Sequence, residues 1–126
     1  MINPKILLKA PALLVAAAIW VLSSRSTLPP LEGVLGFDKF QHATTYLALA
    51  VTIALWFSPA QWRSYRLRTF LLIVLISSLY GAIDEVHQFY VPNRDCNVGD
   101  WAADTLGSLL GATAALLVGR RTDGGE

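Results

Sequence analysis

Charge is what this chain has least of: 15% of its 126 residues are charged, against 54% hydrophobic. Soluble domains average about 25% charged residues, so a solvated surface over the whole molecule is not expected. Cysteine is nearly missing too, and the single Cys96 excludes any intramolecular disulfide. No phosphate-binding glycine-rich loop occurs, so Asp84-Glu85-Val86-His87 is not a helicase box despite its likeness to one. Arg63, Arg66 and Arg68 are too few, and too close to apolar runs, to argue for nucleic acid. Anionic lipid headgroups are their natural neighbours. Internal repeats, low-complexity tracts and composition breaks are also absent, which leaves one domain over 1–126.

What the chain does have is four apolar stretches, at about 6–22, 40–57, 69–90 and 101–118. Each approaches the roughly 20 residues that cross a bilayer core. A soluble four-helix bundle would need a polar face on every helix. Phe70 to Ile76 and Leu13 to Val21 deny it one, being apolar all round. The expected fold is therefore all-α and integral to the membrane, with four antiparallel transmembrane helices. Lys5 and Lys9, before and within the start of the first run, give it some likeness to a signal peptide, but no Ala-x-Ala cleavage pattern follows, and an uncleaved first span is expected.

The cations are distributed unevenly. Lys5 and Lys9, then Arg63, Arg66 and Arg68, then Arg120 and Arg121 fall on one side of a four-span topology. The positive-inside rule makes that side the cytoplasm, with both termini inside and the protein in the bacterial inner membrane. Glu32, Asp38, Asp84, Glu85, Asp95, Asp100 and Asp104 gather at the other side with Arg25, Lys39 and Arg94. The loops at about 24–38 and 91–99 belong to this outer face, and Pro92-Asn93 ends the third span.

Charge near the bilayer centre costs roughly 2.5–3.5 kcal/mol per residue, so acids and histidines within these spans are functional candidates by default. Helical spacing sorts them into three stripes. Asp38, His42, Thr45, Tyr46 and Thr52 form one; Ser77, Gly81, Asp84 and Gln88 another, with Tyr80 and His87 beside it; Asp100, Asp104, Gly107 and Gly111 a third. All are densest at the outer end and should turn inward to meet. Asp84 is the expected centre, within helical reach of His87 at i+3 and Gln88 at i+4. Glu85, about 100° away round the helix, needs another partner such as Lys39, Arg94 or outer water. Gly107-x-x-x-Gly111 suggests close helix contact.

The cluster admits three chemistries. Asp84, Glu85, His42 and His87 are candidate acid–base catalysts. Asp38, Lys39, Tyr46, Gln88, Arg94, Asp100 and Asp104 are candidate ligand-binding groups, or the whole set is a polar network that fixes helix register. Both histidines and the acids are also suitable metal donors, but their spacing matches no dedicated signature, so no metal ligand is assigned and no cofactor is named.

Three motifs stand in order: Asp38-Lys39-x-x-His42-x-x-x-Tyr46, then Gly81-x-x-Asp84-Glu85-x-x-Gln88-x-x-x-Pro92-x-Arg94, then Asp100-x-x-x-Asp104-x-x-Gly107-x-x-x-Gly111. Together, from Asp38 to Gly111, they resemble the VanZ-like family of small bacterial membrane proteins, whose namesake is associated with resistance to the glycopeptide teicoplanin. Asn93 replaces a frequent glycine and Asp104 a frequent asparagine of that pattern. The resemblance implies a cell-envelope role without implying a reaction. Its expected partners are membrane lipids and an envelope lipid, cell-wall precursor or glycopeptide, while the alternative is a non-enzymatic structural or partner-binding protein.

Overall fold

A computed structural model describes residues 3–26 and 36–122, the side chains of 120–122 excepted. Glu32 and most of the predicted outer loop at 24–38 lie outside these residues, as do the side chains of Arg120 and Arg121. Six helices and no strand are found among the described residues: α1 (Pro4–Leu7), α2 (Ala10–Ser23), α3 (Phe37–Ala54), α4 (Pro59–Ser64), α5 (Arg66–Phe89) and α6 (Val98–Thr122).

Among the described residues three segments are long and apolar enough to cross a membrane: Pro4–Ser23, Arg66–Phe89 and Val98–Gly119. The first contains a break at Leu8-Lys9, because Pro11 has no N–H to offer the carbonyl four residues back and its ring crowds that carbonyl. Of the four expected spans three meet this measure, and α3 falls short of it. Its first nine residues include Asp38, Lys39, Gln41, His42, Thr44 and Thr45, which dilute the apolarity of Leu47 to Ala54. A helix in that composition needs shelter, and α3 packs against α2, α5 and α6.

Apolar side chains cover the outside of the bundle as well as forming a core of Ile19, Leu49, Ile53 and Ile73. On α5, Leu67, Leu71, Leu75, Leu79, Ile83 and Val86 form one continuous exposed stripe. Ser77, Asp84, Glu85 and Gln88 of the same helix are buried with Asp104 and Ser108 of α6. An apolar exterior with buried polar groups on the inside is what packing in lipid favours, where apolar side chains gain nothing by leaving the solvent.

Direction follows from the paired residues. Lys39 meets Asp100, His42 meets Asp104, and Ala43 and Leu47 lie against Gly107 and Gly111, so α3 and α6 run parallel. Ser23 meets Asp84 and Ala16 meets Tyr80, so α2 and α5 run parallel to each other. Ser77 meets Ser108 while Glu85 meets Asn97, which sets α5 against α6. The sequential neighbours are antiparallel, as their short connections predict, but the most extensive interface is the non-sequential parallel pair α3 and α6.

Glycine makes that interface possible. A Cβ on Gly107 would lie 2.0 Å from the Ala43 carbonyl oxygen, and one on Gly111 would lie 2.5 Å from that of Leu47. Neither space admits another residue, which bears out the expectation of close contact and identifies α3 as the partner.

Candidate functional site

The arrangement brings the C-terminal ends of α2 and α5 together with the N-terminal ends of α3 and α6. Three carboxylates are thereby sealed inside the bundle: Asp84 is 1% exposed, Glu85 2% and Asp104 0%. Burying an acid without partners is costly, and each of the three has at least one.

Asp84 occupies the expected inward position on α5. Its Oδ2 accepts from the Ser23 hydroxyl at 2.7 Å and from Gln88 Nε2 at 3.3 Å. The Ser23 hydroxyl is also 2.8 Å from the Ile19 carbonyl, so one proton is shared between two acceptors. Gln88 thus fulfils its i+4 role. His87 does not form the expected hydrogen bond, since its Nδ1 stays 3.9 Å from Asp84. Instead its ring stacks on Trp20, with centroids 3.8 Å apart and planes within 8°, and its Nε2 lies 3.4 Å from the Ser24 hydroxyl. His87 therefore ties α5 to α2 at the edge of the cluster.

Glu85 departs from the sequence reading. Rotation about the helix does move it away from Asp84, but toward α6 rather than toward the surface. Its Oε2 accepts from the Asn97 backbone N–H at 2.9 Å. Asn97 caps α6, its Oδ1 accepting from the Gly99 N–H at 2.7 Å. The Glu85 carboxylate consequently sits at the positive end of a 25-residue helix. Lys39, one expected partner of Glu85, is hydrogen-bonded to Asp38 at 2.8 Å and to Asp100 at 2.5 Å. Both bonds hold its proton more firmly than in free lysine, the Asp100 bond foremost, and the Lys39 bond in turn lowers the pKa of Asp38. Both residues precede the apolar stretch beginning at Phe40.

His42 lies between these groups. Its Nδ1 is 2.8 Å from Asp104 Oδ1 and its Nε2 is 3.9 Å from Asp100 Oδ2. An ionised carboxylate only accepts, so Nδ1 carries a proton toward Asp104, and Nε2 faces Asp100. Gly81, first residue of the Asp-Glu run, leaves room for this pair: a Cβ there would be 3.0 Å from Asp104 Oδ2 and 3.2 Å from the Tyr46 ring. Buried polar atoms lacking a hydrogen-bond partner include Tyr46 Oη, Asp84 Oδ1, Glu85 Oε1 and Asp104 Oδ2. They are concentrated at the same end of the bundle.

Thr45 and Thr52 bond to carbonyls of their own helix and do not join the cluster. Asn93 adopts φ 62°, a left-handed conformation that glycine favours and asparagine tolerates, consistent with its place in the turn after α5. Ser23 and Asn97, which hold the two acids of α5, were not among the residues singled out from sequence. Ser23 follows a featureless apolar run and Asn97 acts through its backbone, so neither carries a periodic signal.

Beside the cluster, α2, α3 and α5 enclose a cavity of about 400 Å³. Ile19, Leu22, Phe37 and Phe40 give it apolar walls, while Ser23, His42, Tyr46, Asp84, Gln88 and Arg94 supply polar groups. Arg94 takes no part in the ion pairs of Lys39 and His42. The candidates thus separate into two groups: His42, Asp84, Gln88, Tyr46 and Arg94 border the cavity, whereas Glu85, Asp100, Asp104 and Lys39 lie behind His42 or beside it.

No curated protein and no solved structure matches the chain. A family model described as VanZ/LLP1 matches residues 11–119, which takes in all but the outermost residues of α2 through α6, all three motifs and every member of the buried cluster. The chain belongs to the VanZ-like family.

Proposed function

We propose that this VanZ-like membrane protein binds an amphipathic envelope ligand in the cavity between α2, α3 and α5. The ligand class comprises anionic envelope lipids, lipid-linked cell-wall precursors and lipidated glycopeptides. The observation that carries this reading is the two-sided lining. Leu22 and Phe40 are exposed apolar walls suited to an acyl chain, and His42, Gln88 and Arg94 are hydrogen-bonding or cationic groups suited to a headgroup. In this reading α3 crosses the membrane within the sheath of its neighbours, both termini face the cytoplasm, and the polar end lies at the outer face of the inner membrane. The cation distribution supports that orientation.

The test is to express His42→Ala, Asp84→Asn and Arg94→Gln singly, at matched abundance, and to measure susceptibility to teicoplanin and other envelope-directed antibiotics. Loss of phenotype in folded variants is expected. Wild-type susceptibility in all three would sink the reading.

A second reading has its own support. Asp84 joins α5 to α2, and Asp104 with Asp100 joins α6 to α3, so the same acids could serve only to lock four helices. Under that reading Asp84→Asn lowers abundance and leaves the phenotype per molecule unchanged.

A further inference from the structure

We propose that His42, Glu85 and Asp100 bind one divalent transition-metal cation of the Zn2+ or Mn2+ kind. Each residue comes from a different helix, α3, α5 and α6, and each presents one donor atom, the three lying within 4.8 Å of one another. Metal bonds of about 2.1 Å in tetrahedral geometry place donors about 3.4 Å apart. Closing that gap requires each side chain to move by about 1 Å or less, within reach of small χ rotations.

Three observations point to a cation rather than to an acidic cluster alone. Glu85 is 2% exposed, and its Oε1 is buried without a hydrogen-bond partner while Oε2 is held by the Asn97 N–H. His42 is held as a ligand would be: its Nδ1 is 2.8 Å from Asp104, fully buried on α6, and its Nε2 faces Asp100 at 3.9 Å. This carboxylate–histidine pairing is the usual support of a metal-bound imidazole. Finally, among the described residues the buried acids exceed the buried cations. Asp84, Glu85 and Asp104 are buried, and Lys39 pairs with Asp38 and with one oxygen of Asp100. A divalent cation among Glu85, Asp100 and His42 would balance that charge where water cannot.

One imidazole nitrogen with two carboxylate oxygens suits Zn2+ or Mn2+ better than Ca2+ or Mg2+, whose sites are built of oxygen alone. Sequence spacing gave no hint of this set because its members are 15 to 58 positions apart on three helices. The proposal does not depend on what fills the neighbouring cavity, since His42 is the only residue shared by the two.

The experiment uses the full chain in detergent with every polyhistidine tag removed. The protein is stripped with a chelator, equilibrated with Zn2+ or Mn2+ in separate arms, gel-filtered, and its metal counted by mass spectrometry. Retention of about one ion per chain is expected in at least one arm, falling at least ~10-fold in Glu85→Gln and Asp100→Asn. His87→Gln should retain the ion, because that ring faces Trp20. Failure of wild type to retain either metal overturns the proposal, as does undiminished retention in folded Glu85→Gln. Should the variants not fold, X-ray absorption of the Zn2+-loaded wild type decides. One imidazole among oxygen ligands supports the site, while two imidazoles or none overturns it.

Discussion

Asp84 and Glu85 are adjacent acids with different fates, and the difference lies in one 100° step round α5. Asp84 is held by hydroxyl and amide donors of Ser23 and Gln88, Glu85 by a backbone N–H at the start of α6. Ser23→Ala removes a buried donor from Asp84 and should cost about 1–3 kcal/mol, read as a lower unfolding midpoint in detergent. Thr45→Ala on α3 is the control, since that hydroxyl serves only its own helix, and should shift the midpoint far less. His87→Ala removes the stack on Trp20 and should destabilise by about 1 kcal/mol. The expected spectroscopic sign is a change in Trp20 fluorescence. Most of these side chains were legible from sequence because acids and histidines stand out in apolar runs. Their partners were not, because serine is unremarkable at a helix end and a backbone N–H has no identity.

Among the elements, α3 and α6 carry the tightest constraint. Gly107→Ala forces a methyl group onto the Ala43 carbonyl, a contact that only backbone displacement relieves. A loss above about 3 kcal/mol is expected, measured as a collapse of the folded fraction on gel filtration. Gly119→Ala, with open space around its Cβ, should be neutral by the same measurement. The small-x-x-x-small spacing was readable in the sequence, but the parallel pairing with α3 was not. Two helices separated by α5 in the chain can meet in either direction as far as local pattern is concerned. The lower apolarity of α3 has the same origin: its polar residues are stabilised by partners from α6 that the local sequence does not contain.

For the molecule as a whole, the governing relation is between an apolar outside and a polar inside at one end. Cys96, exposed in the connection between α5 and α6, reports which side of the membrane that end occupies. A membrane-impermeant maleimide should label it in intact spheroplasts, and labelling only after lysis would invert the proposed orientation. The exposed Leu71, Leu75 and Leu79 stripe gives a second whole-molecule test. Leu75→Lys should reduce membrane insertion by the roughly 2.5–3.5 kcal/mol that a central charge costs, seen as lost membrane-fraction protein. Tyr90→Lys, at an exposed position just beyond the end of α5, should be tolerated in the same assay.

Composition and hydropathy by themselves determined that this chain is helical and suited to a membrane, because a bilayer selects length and apolarity residue by residue. Three ordered motifs were enough to identify its family. Tertiary structure alone decided that α3 runs parallel to α6, that Glu85 turns inward rather than to the surface, and that the His87 ring packs against α2. Each of these depends on contacts between residues distant in the chain, and such contacts leave no period in the sequence from which they could be read.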